Sequence, residues 1–90
     1  MPRVHLQAPL TQATNGLSVV DVPGATIGEL IDAIESRHGG LKKMIFNENG
    51  QLHRHIIISV NEEDIRFLEN YDTAVFDDDE ISILPVIAGG

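Results

Sequence analysis

Apolar and polar residues alternate with period two near both ends of this chain and recur at helical spacing in between, so strands are expected to flank one amphipathic helix. Val4 and Leu6 alternate with His5 and Gln7 as in a half-buried strand, which Pro9 stops. Thr14-Asn15-Gly16 supplies a turn whose Asn-Gly pair accepts positive φ, and β-branched residues resume over 17–22 until Pro23-Gly24 breaks them. These two segments predict an antiparallel hairpin. Thr26-Ile27-Gly28-Glu29 matches a capping box, in which hydroxyl and carboxylate each satisfy a backbone N–H left unpaired at a helix start. Ile27, Leu30, Ile31 and Ile34 then form one apolar stripe, while Asp32, Glu35 and Arg37 face water. Arg37 and His38 suit the negative end of the helix dipole, and Gly39 suits a left-handed C-cap. The predicted helix spans 26–38. Gly28 costs it about 1 kcal/mol relative to Ala, which reads either as close packing against the sheet or as simple tolerance.

The second half of the chain supplies the rest of the sheet. Residues 41–46 fit a second short helix or an irregular connection, and Asn47-Glu48-Asn49-Gly50 is turn chemistry. Ile56, Ile57 and Ile58 occur in succession within 55–60, as in a strand covered on both faces. The chain turns at Asn61-Glu62-Glu63-Asp64, and Ile65-Arg66-Phe67 is expected to return as a short strand. Asp77-Asp78-Asp79 precedes a final strand over 80–85, where Ile81 and Ile83 alternate with Ser82. This order, two strands, helix, loop, strand, short strand and final strand, is that of an α+β β-grasp domain: a mixed sheet of about five strands wrapping one main helix (about 26–38). The helix and loops give the long crossover that lets the final strand lie parallel beside the first. Residues 1–84 form the expected domain and 85–90 a flexible C-terminal tail.

Ninety residues suit one small domain that buries roughly 65% of the surface its unfolded chain exposes. Its only aromatic residues are Phe46, Phe67, Phe76 and Tyr71, so the core is expected to be aliphatic. A formal charge of −8 disfavours nucleic acid and anionic membrane surfaces and suits a basic docking surface on another protein. With no cysteine there is no disulfide framework, thiol nucleophile or thiolate metal site. No apolar run approaches the ~20 residues that span a bilayer, and the first residues lack the apolar core of a secretion signal, so a cytoplasmic location is expected.

Candidate chemistry narrows to the last residues. His53 and His55, two apart, are spaced as two metal ligands on a strand face, but no third ligand is evident and no metal site is expected. The run Asp77 to Glu80 lacks the spacing of a calcium loop and reads as a solvated turn with secondary use as a docking face. Glu62 and Asp64 lie in turn sequence without an apolar pocket to raise a carboxyl pKa, so catalysis by this chain is not expected. The Gly-Gly pairs are not phosphate loops, since Gly39-Gly40 closes a helix and nothing follows Gly89-Gly90. Ending directly after a strand, Gly89-Gly90 instead presents a bare α-carboxylate on a thin stalk, with no Cβ to hinder passage through a narrow channel or attack at the Gly90 carbonyl carbon.

Taken together, the stretch Val60-Asn61-Glu62-Glu63-Asp64-Ile65-Arg66-Phe67, the acidic turn from Asp77 to Glu80, and Ile81-Ser82-Ile83-Leu84-Pro85-Val86-Ile87-Ala88-Gly89-Gly90 resemble the small ubiquitin-like sulfur carrier proteins across nearly the whole chain. That family includes the small subunit of molybdopterin synthase and the thiamine-pathway and cysteine-pathway carriers. Asp78-Asp79 departs from its usual Asp-Gly-Asp or Asp-Gly-Glu turn. His53-Arg54 before a strand, with residues 61–67, resembles the cysteine-pathway carrier more than the molybdopterin one. The resemblance implies a protein cosubstrate and not an enzyme. An adenylyltransferase of the ubiquitin-activating type, using ATP and Mg²⁺, adenylates the Gly90 carboxylate, and a sulfur donor displaces AMP to leave a thiocarboxylate. In the cysteine pathway that sulfur attacks an aminoacrylate on a pyridoxal-phosphate-dependent synthase, and a metalloprotease releases cysteine after an S-to-N acyl shift. The cofactors belong to the partners.

A stalk from Pro85 to Gly90 reaches up to ~20 Å when extended, enough to leave the body outside a buried site. Gly90 is then the reacting residue, and Gly89 lets the end fit. Ala88, Ile87 and Val86 supply extended-strand contacts, with Pro85 separating stalk from sheet. Phe67 and Phe76 are candidate partner anchors alongside Asp77, Asp78 and Asp79, although core burial is the more ordinary place for either ring. Two other readings share these residues: a ubiquitin-like modifier that ends as an amide on lysines, and a passive β-grasp interaction module whose tail is irrelevant.

Overall fold

The computed structural model describes residues 1–86. Five strands form one mixed sheet: β1 (Arg3–Leu6), β2 (Val19–Asp21), β3 (Ile56–Val60), β4 (Glu63–Asp64) and β5 (Glu80–Pro85), in the order β2-β1-β5-β3-β4. The chain has the ubiquitin-like β-grasp fold. β1 and β2 are antiparallel, with Val4 opposite Val20, while β5 lies parallel to β1, with Leu6 opposite Ile83. Helix α1 (Ile27–His38) and the one-turn α2 (Leu41–Ile45) cover one face. Their buried Ile27, Leu30, Ile31, Ile34, Leu41 and Ile45 meet the inward residues Val4, Leu6, Ile56, Ile58, Ile81 and Ile83 in an aliphatic core. Phe46 and Tyr71 only border it, edge to face with ring centres 5.7 Å apart.

Local chemistry accounts for the helix ends. The Thr26 hydroxyl accepts from the Glu29 backbone N–H, and the Glu29 carboxylate reaches back one residue further than the usual box, to the N–H of Ala25. That start is stitched to the chain before β5: Ile27 donates to the Thr73 carbonyl and Val75 to the Ala25 carbonyl. Gly28 serves this junction, since a Cβ there would sit 3.4 Å from the Tyr71 carbonyl oxygen, so its close packing is against the 70–72 turn and not the sheet. Gly24 is tighter still, because a Cβ would lie 3.1 Å from the backbone N of Leu30.

At the other end of α1, Gly39 has positive φ with extended ψ, and Gly40 takes the left-handed conformation expected of Gly39. This redirects the chain into α2, whose first N–H groups would otherwise be unpaired. The Glu35 carboxylate accepts from the backbone N–H of Lys42 at 2.8 Å and of Gly40 at 3.0 Å. These bonds, that of Lys42 first, hold the Glu35 carboxyl below its ordinary value of 4.5. A carboxyl depressed on folding stabilises fully above its unfolded pKa, and that contribution is lost as pH falls through the folded value. Glu35→Gln is therefore expected to lower stability by about 1 kcal/mol at neutral pH, with the difference from wild type shrinking below about pH 4.5, as read by urea unfolding at both ends of the range.

Several sequence expectations are corrected. β2 begins at Val19, because the chain first makes a 3₁₀ turn over Leu10–Thr14 that buries Leu10, Ala13 and Thr14. Asn15 and Gly16 after it do adopt positive φ. The strand returning from β3 is Glu63–Asp64, not Ile65-Arg66-Phe67; Asn61 and Glu62 turn the chain with positive φ in two residues. Ile65–Phe67 closes instead as a 3₁₀ turn, whose Arg66 N–H and guanidinium both donate to Asp64. Ile57 is only half-buried, since the sheet has a helix layer on one face and Ile57 points to the other.

Candidate functional site

The chemistry expected at the end of the chain depends on how β5 delivers it. β5 is the central strand, paired with β1 as far as Ile83 and with β3 as far as Pro85, so the base of the tail is held by the β3 side. Asn61 donates to the Glu80 carbonyl and Val86 to the His55 carbonyl, so the hydrogen-bonded rungs between β3 and β5 fall at Glu80, Ser82, Leu84 and Val86. Pro85, opposite Ile56, therefore occupies a rung that makes no bond to β3. Its nitrogen faces the β1 side, where pairing has already stopped at Leu6 and Ile83. A proline is thus accommodated at the end of a central strand without loss of a ladder bond. Pro85 belongs to the sheet, and Val86, 41% exposed, is the first residue beyond β5. The residues expected to carry and present the reacting carboxylate, Ile87, Ala88, Gly89 and Gly90, lie outside the described residues.

Beside this exit the open face of the sheet combines apolar and polar groups. Ile57 and Leu84 pair across β3 and β5, Ser59 pairs with Ser82, and Ser82 in turn lies opposite His5, which pairs with Val19. Because alternate residues share a face, these side chains line one surface, and a shallow depression of 510 Å³ runs along it past Leu6, Val19, Ser82 and Leu84 to Asn61. His5 Nε2 contacts the Glu80 carboxylate at its edge. The Ile57–Leu84 pair was not singled out from sequence. The alternation of 80–85 already put Leu84 on the face of Ser82, but only the pairing register brings Ile57 beside it.

The remaining candidate surface residues lie elsewhere. Phe67 is 81% exposed and Phe76 70%, so the core placement expected of them is overturned: the first ends a 3₁₀ turn after an edge strand, and the second opens the acidic turn before β5. That turn is internally braced. Asp79 accepts from the Phe76 N–H and from the Asn61 amide, while Asp77 lies 3.4 Å from the N-terminal ammonium. Asp77, Asp78 and Asp79 thus occupy the Glu80 end of β5, opposite the end from which the tail leaves. His53 and His55 sit just before β3 with their rings stacked, centres 5.1 Å apart. Among the described residues no group of three His, Cys, Asp or Glu is placed to hold a metal ion, and no helix is long and apolar enough to cross a membrane. A larger groove of 720 Å³ lies on the helical side, floored by Ile31, Phe46 and Tyr71 and flanked by Lys42 and Lys43.

Comparison with known proteins agrees with this geometry. A match to the ThiS family covers residues 4–90. The chain is 36% identical to the sulfur carrier protein CysO of Mycobacterium tuberculosis over 89 residues, covering 97% of this chain and 96% of that one. It superposes on a chain in the Amycolatopsis orientalis BexX/CysO complex with a TM-score of 0.89, 41% identity and 100% coverage of both. The small archaeal modifier protein 1 of Methanosarcina acetivorans is similar too, with a TM-score of 0.83 and 30% identity over 99% of this chain and 95% of that one. By fold, by length and by its residues from the first strand to the last glycine, the chain belongs to the ThiS family.

Proposed function

We propose that this protein is a sulfur carrier that presents its Gly90 carboxylate for adenylation and conversion to a thiocarboxylate, donating the sulfur in cysteine biosynthesis. The observation that carries this reading is the combination of a Gly-Gly ending with a β-grasp body whose central strand runs out at Pro85, five residues before that pair ends. A free carboxylate is a poor electrophile at neutral pH. Attack of its oxygen on the α-phosphorus of ATP, with loss of pyrophosphate, gives an acyl adenylate; a sulfur nucleophile then forms a bond to the acyl carbon as AMP leaves. The ATP and Mg²⁺ belong to an activating enzyme, and pyridoxal phosphate to the sulfur-accepting synthase, so this chain is a cosubstrate and not a catalyst. Similarity to CysO over nearly the whole chain supports the cysteine pathway over the molybdopterin and thiamine ones.

The role of the body is to position the tail. Gly89 allows passage through a narrow channel, Ala88, Ile87 and Val86 add extended-strand contacts, and the open sheet face around Leu84 and Ile57 docks beside it. Intact mass spectrometry of the purified chain after incubation with ATP, sulfide and lysate of its own organism tests the proposal. Replacement of one oxygen by sulfur at Gly90 is the expected product, and an unmodified C-terminus under conditions that load a CysO control rules it out. A second reading, a ubiquitin-like modifier, is favoured by the similarity to small archaeal modifier protein 1. It predicts an amide between Gly90 and a target lysine, visible as a higher-mass conjugate in the same experiment.

A further inference from the structure

The proposed function leaves unused the His53-Arg54-His55 segment that immediately precedes β3. The pairing of β3 with β5 puts this segment at the foot of the tail, because the His55 carbonyl accepts the Val86 N–H and Ile56 lies opposite Pro85. The segment is fixed from two sides. His53 donates its backbone N–H to the Ile45 carbonyl at the end of α2, and its own carbonyl accepts from Ile56. The imidazoles stack, while Arg54 is exposed.

The distribution of charge makes that placement informative. The chain has only six Lys and Arg residues against fourteen acidic ones. Arg3, Lys42 and Arg66 are paired with Asp21, Asp32 and Asp64, and Arg37 donates to the Asp21 carbonyl. Arg54 has no carboxylate partner among the described residues, and neither does Lys43 on the helical side. Meanwhile Glu62, Glu63, Asp77, Asp78 and Glu80 are exposed at the far end of the sheet. A strand of β5's length spans about 17 Å, roughly twice the Debye length at physiological salt, so the acidic end does not cancel the field of Arg54 at the tail. Charge is uneven along the central strand: exposed carboxylates gather at its Glu80 end, while Arg54 is an exposed cation in the segment that meets its Val86 end.

We infer that Arg54, held at the tail root beside the stacked His53 and His55, is a docking contact for carboxylates on the rim of the channel that receives the tail. This rests on the proposed function. It concerns the rim and not the reacting centre: four residues follow Val86, a span of up to about 14 Å, so the guanidinium stays at the channel mouth when the tail is inserted. A guanidinium suits the role, since its planar fork pairs with carboxylates in two parallel bonds. A charge at the rim of an interface acts mainly on encounter and orientation, so its effect belongs in kcat/KM and not in kcat. The acidic far end reinforces this, because an acidic rim repels it and favours approach tail first.

The test measures ATP-dependent thiocarboxylate formation by intact mass, with the full chain in lysate of its own organism, at carrier concentrations spanning KM. Arg54→Glu is expected to lower kcat/KM by about tenfold with kcat changed less than about twofold, and the deficit should shrink as salt rises. Arg54→Lys keeps the charge and loses the fork, so its kcat/KM should fall between those of wild type and Arg54→Glu. Arg3→Glu makes the same charge change at the opposite end of the sheet and should alter kcat/KM less than about twofold. Equal kcat/KM for wild type and Arg54→Glu overturns the inference while leaving the carrier function standing, as does an equal loss in Arg3→Glu. Failure of the wild type to load removes the carrier reading and this inference with it. Thermal unfolding of Arg54→Glu is expected to match wild type, because the side chain is exposed and has no carboxylate partner among the described residues; a lowered midpoint accompanied by a fall in kcat would assign the loss to folding and overturn the docking role.

Discussion

Deleting Gly89 and Gly90, or adding a single residue after Gly90, is expected to abolish ATP-dependent loading and to change the free energy of unfolding by less than about 0.5 kcal/mol. The two halves of this expectation have separate physical origins. Under the proposed function, loading requires an α-carboxylate carried on the terminal glycine pair: an appended residue turns the Gly90 carboxylate into an amide and puts a side chain at the new end, and the deletion leaves the carboxylate on Ala88, two residues short of the reacting position. Stability resides in the aliphatic core, whose last buried member among the described residues is Ile83 in β5. Two glycines have no side chain to bury, so their removal takes no apolar surface from the folded state. Mass spectrometry after incubation with ATP and lysate reads the first half, and thermal unfolding reads the second. Normal loading of the extended chain would end the carboxylate reading, and a large loss of stability on deletion would mean that the last residues are structural.

The second expectation separates two neighbouring isoleucines. Ile58→Ala should destabilise the fold by about 2–5 kcal/mol, because Ile58 is 1% exposed and its truncation leaves a cavity beneath α1 and α2. Ile57→Ala, one residue away on the open face, should cost about 1 kcal/mol and mainly weaken docking of the tail-receiving enzyme. Urea unfolding should show a lower midpoint with an unchanged slope for the first variant and little shift for the second. Loading kinetics should show the reverse once both are compared at a temperature where Ile58→Ala is folded. From the run Ile56-Ile57-Ile58 alone these residues were equivalent, and truncating Ile57 would have been expected to cost as much as truncating a core residue such as Ile31. The difference arises because only one face of this sheet carries a helical layer.

Legibility in the sequence followed the range of the forces involved. The main helix was readable because its cap, its apolar stripe and its closing glycines act over three or four residues, and Thr26 and Glu29 do satisfy backbone N–H groups at its start. β5 was readable to its bounds, since alternation of Ile81 and Ile83 with Ser82 is a local signal and the acidic turn before it is a strong break. Ile65–Phe67 was misread as a strand because its composition is strand-compatible, and the Leu10–Thr14 turn carried no sequence signal of its own; the 3₁₀ form buries Leu10 in one and Ile65 in the other. Phe67 and Phe76 show the limit of hydrophobicity as a guide, because a core already filled by Ile, Leu and Val has no place for either ring.

The linear order of residues was enough to determine a β-grasp body and an aliphatic core, because each depends on periodicity or composition. Only the folded arrangement decided that β5 stands at the centre of the sheet, that Pro85 sits on a rung needing no N–H, and that Arg54 and the Ile57–Leu84 pair lie toward the Pro85 end of β5 while the acidic turn lies at the Glu80 end. Those facts depend on which strand lies beside which and in what register. They are set by contacts between residues 21 (Val60 with Ile81) to 77 (Arg3 with Glu80) apart in the chain, and no local pattern encodes them.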